Sequence, residues 1–81
     1  LQGHGVKENK KEAVKCFKTA ANKYKSGLGF YNLGICYENG YGVRKDYKRA
    51  IKMYGQSAEN DEPIGLEAIK RVYSEMVKRE A

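Results

Sequence analysis

An all-α solenoid built from antiparallel helix pairs is the fold class this sequence predicts, with about four helices in a single domain spanning residues 1–81. Three observations carry that expectation. Apolar residues recur at helical spacing in four stretches separated by short glycine-, asparagine- or proline-containing breaks. The chain also repeats itself. A shift of 37 residues places Gly3 on Gly40, Gly5 on Gly42, Val6 on Val43, Ala13 on Ala50, Phe17 on Tyr54 and Ala21 on Ala58. A shift of 36 relates the later helices, placing Gly29 on Gly65, Leu33 on Ile69 and Tyr37 on Tyr73. A period of this length in a helical chain means helix pairs stacked on their neighbours. Finally, a hydrophobic fraction of 41% beside a charged fraction of 32% suits a globular rather than a disordered chain.

The first helix is predicted over about 9–24. Asn9 is its expected N-cap, with Glu12 three residues on. Ala13, Phe17, Ala20, Ala21 and Tyr24 form its apolar stripe, and lysines occupy much of the rest. After the break at Lys25 to Gly27, a second helix runs over about 28–39. Its inward residues are Phe30, Leu33, Gly34 and Tyr37, with Cys36 alongside. Asn39-Gly40 is a stop signal, since glycine tolerates the left-handed conformation that ends a helix. The turn Gly40 to Val43 leads to Asp46, the cap of a third helix over about 46–59, where Tyr47, Ala50, Ile51, Tyr54 and Ala58 face inward. Gly55 interrupts this helix at a cost of about 1 kcal/mol relative to alanine. A close helix contact is one reason to keep such a glycine. Pro63 suits the first turn of a fourth helix over about 63–78, whose apolar side is Ile64, Ala68, Ile69, Val72, Tyr73, Met76 and Val77.

The repeated residues have physical duties. Gly34 and Ala50 are small where two helices must approach closely. Tyr37 and Tyr54 are large where a gap between successive pairs must be filled. Gly40 and Gly42 let the chain reverse, and Val43 plugs the base of the pair. In the central stretch only Ile35, Glu38 and Tyr41 are free of such duties.

This constellation resembles the Sel1-like repeat, a relative of the tetratricopeptide solenoids. Leu33, Gly34, Tyr37, Gly40, Gly42, Val43, Asp46, Ala50, Tyr54 and Ala58 match its pattern, and a partial earlier copy matches at Gly3, Gly5, Val6, Ala13, Phe17, Ala20 and Ala21. There are departures. Gly29 stands where the pattern begins with alanine, Glu12 and Arg49 replace a lysine, and Ser57 replaces the first of two alanines. Lys70 takes the place of the pattern's glycine, and no second glycine turn follows Tyr73. The expectation is therefore a fourth helix that caps the stack, in the C-terminal piece of a longer array.

The resemblance implies a non-enzymatic adaptor or scaffold for protein–protein interaction, whose concave surface, lined by the second and fourth helices, receives a protein or peptide. The outward positions of those helices are Tyr31, Ile35, Glu38, Glu67, Arg71 and Ser74. A regulatory repeat module of a larger enzyme or signalling protein is the alternative, and a purely structural spacer is a third reading.

Chemistry other than binding finds little support. GYGVRK lacks the third glycine of a dinucleotide loop and follows a helix rather than a strand. One histidine, His4, and two cysteines make neither a metal site nor a catalytic triad, so no catalytic residue, metal or cofactor is expected. Cys16 and Cys36 align with Met53 and Val72 and are expected to be core thiols. Sixteen basic against ten acidic residues give a net charge of +6. Lys11, Lys15, Lys18, Lys45, Lys48 and Lys52 form rows on the outer surface that suit an acidic partner. Nucleic acid is disfavoured, because lysines outnumber arginines 12 to 4 and the aromatics sit on the buried stripe. No stretch is long and apolar enough to be a transmembrane segment. Sparse cysteines and no visible leader lean towards a reducing, cytoplasmic setting.

Overall fold

The computed structural model describes residues 6–80, with side chains from Asn9 to Arg79. It contains four helices: α1 (Val6–Tyr24), α2 (Gly27–Asn39), α3 (Tyr47–Glu59) and α4 (Ile64–Glu80). The substantial packing runs between chain neighbours, α1 on α2, α2 on α3 and α3 on α4. That is the architecture of a helical solenoid, in which each element rests on the one before it. The predicted turn at Gly3 to Gly5, with His4 inside it, lies outside the described residues.

The joints are built from local chemistry. α1 starts at Val6, three residues before Asn9, which lies inside the helix and does not cap it. Lys7 and Glu8 are good helix formers, so extending the helix through them costs less than starting a new one at Asn9. At the other end Lys25 turns left-handed at φ 53° and Ser26 N–H donates to Ala20 O at 3.0 Å. Ser26 then caps α2, accepting from Gly29 N–H at 3.0 Å. The corresponding joint between α3 and α4 repeats the device. There Asp61 is left-handed at φ 70°, and Glu62 N–H donates to Ser57 O at 2.9 Å. The two donor–acceptor pairs are six and five residues apart, which is where the period changes from 37 to 36. Between α2 and α3, Gly40 (φ 71°) ends the helix, and Asp46 N–H reaches back to Tyr37 O at 2.8 Å. Asp46 caps α3 through Arg49 N–H at 3.1 Å, as expected.

Two small cores result. Val14, Ala21, Phe30, Leu33 and Cys36 form one between α1 and α2, and Ala50, Tyr54, Ala68 and Val72 form the other between α3 and α4. Tyr37 packs against both, which is the filling role expected of it. Tyr54 is fully buried, and its ring occupies the space a side chain at position 34 would need. A Cβ on Gly34 would lie 2.5 Å from that ring. On the opposite side a Cβ on Gly65 would strike the Ser57 hydroxyl and the Tyr54 carbonyl oxygen. α3 is thus wedged between two glycine-bearing helices. Gly29 has a similar cause, because a Cβ there would meet Ala20 Cβ at 2.8 Å and Ala21 N at 3.0 Å. Ser57 is buried and donates to Tyr54 O at 2.6 Å, so its hydroxyl is satisfied within the helix.

Several expectations need correction. Tyr24 is 67% exposed, and Val14 enters the core of α1. Tyr24 is the last residue of its helix, whereas Val14 faces the glycine turn at Gly42. Cys16 is exposed, while Cys36 is buried as expected. On α4 the buried side is narrower than predicted. Ala68 and Val72 are covered, but Ile64, Tyr73 and Val77 are exposed, because α3 is the one helix with substantial packing against α4. Lys70, at the place of a pattern glycine, is exposed on that uncovered side.

Gly55 has no atom within 4 Å of the place its Cβ would take, so no helix contact explains it. Gly55→Ala is expected to raise stability by about 1 kcal/mol through helix propensity alone. Gly34→Ala is expected to lower it by about 1–3 kcal/mol, because the Tyr54 ring has to move. Urea-unfolding midpoints of the two variants check both signs.

Candidate functional site

The six predicted surface residues occupy one face of each helix. Tyr31, Ile35 and Glu38 follow one another at i, i+4 and i+7 on α2, and Glu67, Arg71 and Ser74 do the same on α4. The structure joins these faces through a single network. Arg71 binds Glu38 with both arms of its guanidinium, Nη2 to Oε1 at 2.7 Å and Nε to Oε2 at 3.1 Å. Tyr54 OH donates to the same Oε1 at 2.6 Å and lies 3.4 Å from Arg71 Nη2. The Tyr31 ring sits against that of Tyr54, with centroids 5.5 Å apart and planes tilted by 47°. Tyr31 and Ile35 are half-buried and pack on the α3–α4 core. Glu38 and Arg71 therefore meet at the Tyr54 hydroxyl, Tyr31 lies against the Tyr54 ring, and Ile35 packs on the same core. Glu67 and Ser74 stay exposed along α4, where the Glu67 carboxylate lies 3.8 Å from Lys70 Nζ.

Ile35 and Glu38 are thus not free of structural duty. Ile35 covers a core, and Glu38 receives a buried tyrosine. The hydroxyl end of Tyr54 was the missing piece. A signal for it is present in the sequence, since the equivalent position in the earlier copy is Phe17. A phenol at a buried position needs a partner that a phenyl ring does not.

The network sets its own charges. The hydrogen bonds from Arg71, helped by that from Tyr54, hold the Glu38 carboxyl below the usual carboxylate range despite its partial desolvation. Burial, and then the neighbouring Glu38 carboxylate, push the Tyr54 phenol well above its ordinary value. The result is an ionised Glu38, a neutral Tyr54 and a charged Arg71. This arrangement holds surface in place and offers no group poised to exchange a proton near neutral pH. Cys36 is pushed up by burial, which makes its thiol a poor nucleophile. Among the described residues no group of three or more His, Cys, Asp or Glu side chains is arranged to hold a metal ion. No described helix is long and apolar enough to cross a membrane.

Lys11, Lys15, Lys18, Lys45, Lys48 and Lys52 are all exposed. Lys15 lies 4.0 Å from Glu12, and Lys45 sits 5.0 Å from the centre of the Tyr47 ring.

The sequence profile of the Sel1 repeat matches residues 1–24 and 31–62, more than half of the chain. The chain belongs to the Sel1 repeat family. Among its relatives, protein sel-1 homolog 2 of Homo sapiens is 35% identical over 57 residues, 70% of this chain and 8% of the human protein. A sel1-like repeat-containing protein of Acanthamoeba polyphaga mimivirus is 40% identical over 70 residues, 85% of this chain and 12% of the viral protein. The DAP3-binding cell death enhancer 1 of Rattus norvegicus is 35% identical over 66 residues, 82% of this chain and 13% of the rat protein. The chain thus spans about a tenth of the length of these relatives. No solved structure gives a significant match. Sel1 repeats generally mediate contacts between proteins and typically carry no catalytic site. In this Sel1 repeat the pattern residues hold the helices together, and Ile35 and Glu38 between them help to do so.

Two measurements bear on the site. A thiol-alkylating reagent is expected to label Cys16 rapidly in the folded protein and Cys36 only on unfolding, as mass spectrometry of the digested protein reports. The ion pair also links stability to pH. Because the folded-state value of Glu38 is depressed, its contribution is complete above the ordinary carboxylate value and is lost as pH falls through the lower, folded-state one. Glu38→Gln is therefore expected to cost about 1 kcal/mol near neutral pH, kept modest by the half-exposed Arg71. The difference from the parent should vanish in acid, and urea unfolding at several pH values measures it.

Proposed function

We propose that this Sel1 repeat is a non-enzymatic adaptor or scaffold module and that the joint α2–α4 face receives a protein or peptide partner. The observation that carries this reading is the network around Tyr54. It fixes Arg71 and Glu38 in one geometry and sets the apolar edges of Tyr31 and Ile35 beside them. A surface whose side chains are already ordered loses less entropy on binding. Aromatic, aliphatic and arginine groups side by side are also the residue types from which protein interfaces draw most of their energy. Glu67 and Ser74 extend the face along α4 as its polar rim. The rat relative named for binding DAP3 is a family member whose name records a protein contact, and it supports the same class of role for this chain.

Glu67→Lys with Ser74→Glu alters the exposed rim without touching a core residue. Tyr31→Ala with Ile35→Ala removes the apolar edges, with circular dichroism confirming that the helices persist. Either pair is expected to reduce capture of protein partners in a pull-down by about tenfold, which corresponds to one moderate hot spot. Unchanged capture by both folded variants sinks the assignment of this face.

A further inference from the structure

The strongest unassigned feature shares none of those six residues and lies over the turn that joins α2 to α3. Two adjoining hollows, of about 430 and 420 Å³, share Val43 and Arg44. The first is walled by Lys10 and Lys11 of α1, the second by Lys18 of α1 and Arg49 of α3. Taken as one cleft through the wall residues they share, the two hollows are lined by five cationic side chains, and Asp46 is the lone carboxylate among their lining residues. That carboxylate is already engaged, accepting from Arg49 N–H at 3.1 Å and lying 3.5 Å from Arg49 Nε. The cleft therefore carries a marked positive excess, in a chain whose net charge is +6.

Its floor is firm. A Cβ on Gly42 would lie 2.6 Å from Lys10 O and 2.8 Å from Val14 Cγ2, so the turn is pressed directly onto α1. Two rings help to place the cations. Lys10 Nζ lies 5.3 Å from the centre of the Tyr41 ring, and Arg49 Cζ lies 5.8 Å from that of Tyr37. Val43 and the Tyr37 ring add an apolar strip between the charged walls.

We propose that this cleft binds an acidic, extended peptide segment of a protein partner. The dimensions suit a peptide. Lys10 and Lys18 are eight residues apart on α1, roughly 12 Å along the axis, about the reach of four residues of extended chain. Cations on facing walls suit a chain lying between them better than a flat anionic membrane. The apolar strip suits alternate side chains of a peptide. Nucleic acid is a poorer match, since both rings already carry a cation near one face and are not bare platforms for bases. The inference rests on the reading of this module as protein-binding, but it uses none of the six residues of the α2–α4 face.

The test is fluorescence anisotropy with a labelled peptide of alternating Glu and Leu, against the same peptide with Gln for Glu. Lys18→Glu with Arg44→Glu reverses two cleft charges. Lys23→Glu with Lys78→Glu makes the same change in net charge at exposed positions elsewhere. The cleft variant is expected to weaken binding about tenfold or more, and the remote variant no more than about twofold. The Gln peptide should not bind. Equal loss in both variants would show attraction to net charge alone and overturn the assignment, as would equal binding of the Gln peptide. Duplex DNA or phosphatidylserine vesicles that displace the peptide at lower concentration than unlabelled peptide does would overturn it in favour of another ligand. The Tyr31→Ala, Ile35→Ala protein should retain peptide binding. Loss there would move the peptide to the α2–α4 face and overturn the cleft while sparing the other reading.

Discussion

Everything in this small chain hangs on the seating of Tyr54. Its ring lies where Gly34 has no side chain, its helix is pressed against Gly65, and its hydroxyl reaches the Glu38–Arg71 pair. Truncating a buried aromatic of this size removes about 3–5 kcal/mol. That is a large share of the ~5–15 kcal/mol by which domains are stable at all. One residue therefore ties three helices together. The same contact that closes the core orders the residues at the surface, so packing and surface order are not separable here.

The ion pair is a weak source of stability by itself, because Arg71 is half-exposed and solvent screens it. Its importance is geometric. Without Arg71, Glu38 would be a mostly covered carboxylate holding a buried phenol, and without Glu38 that phenol would have lost its acceptor. The two charges remove each other's cost and fix the distance between α2 and α4.

Much of the fold was legible in the sequence because repeated demands leave repeated residues. Gly34, Gly40, Tyr37 and Asp46 act as their spacing predicts, and the change of period falls at the joint that carries Lys25. What was not legible depended on contacts across helices. Asn9 looked like a cap because it is a good one in isolation, but the helix propagates through Lys7 and Glu8. Cys16 aligned with an apolar residue, yet among the described residues no helix buries it. Gly29 read as a lapse from the pattern until the backbone at Ala20 and Ala21 was seen beside it. In the candidate site the helical faces were legible and the partners were not. Nothing local in Glu38 or Arg71 announces that they meet, because they are 33 residues apart in the chain.

Tyr37 is the side chain that touches both cores, and among the described residues no other is common to the two clusters. In a stack where each helix rests on its neighbours, cooperativity is a nearest-neighbour quantity. The coupling between the α1–α2 and α3–α4 halves is then carried by the α2–α3 contact, to which Tyr37 contributes beside the Tyr54 ring on Gly34. The halves unfold as a single unit only while that contact outweighs the independence of the two small cores. Tyr37 and Tyr54 together thus govern whether the chain behaves as one cooperative folding unit or as two loosely joined ones.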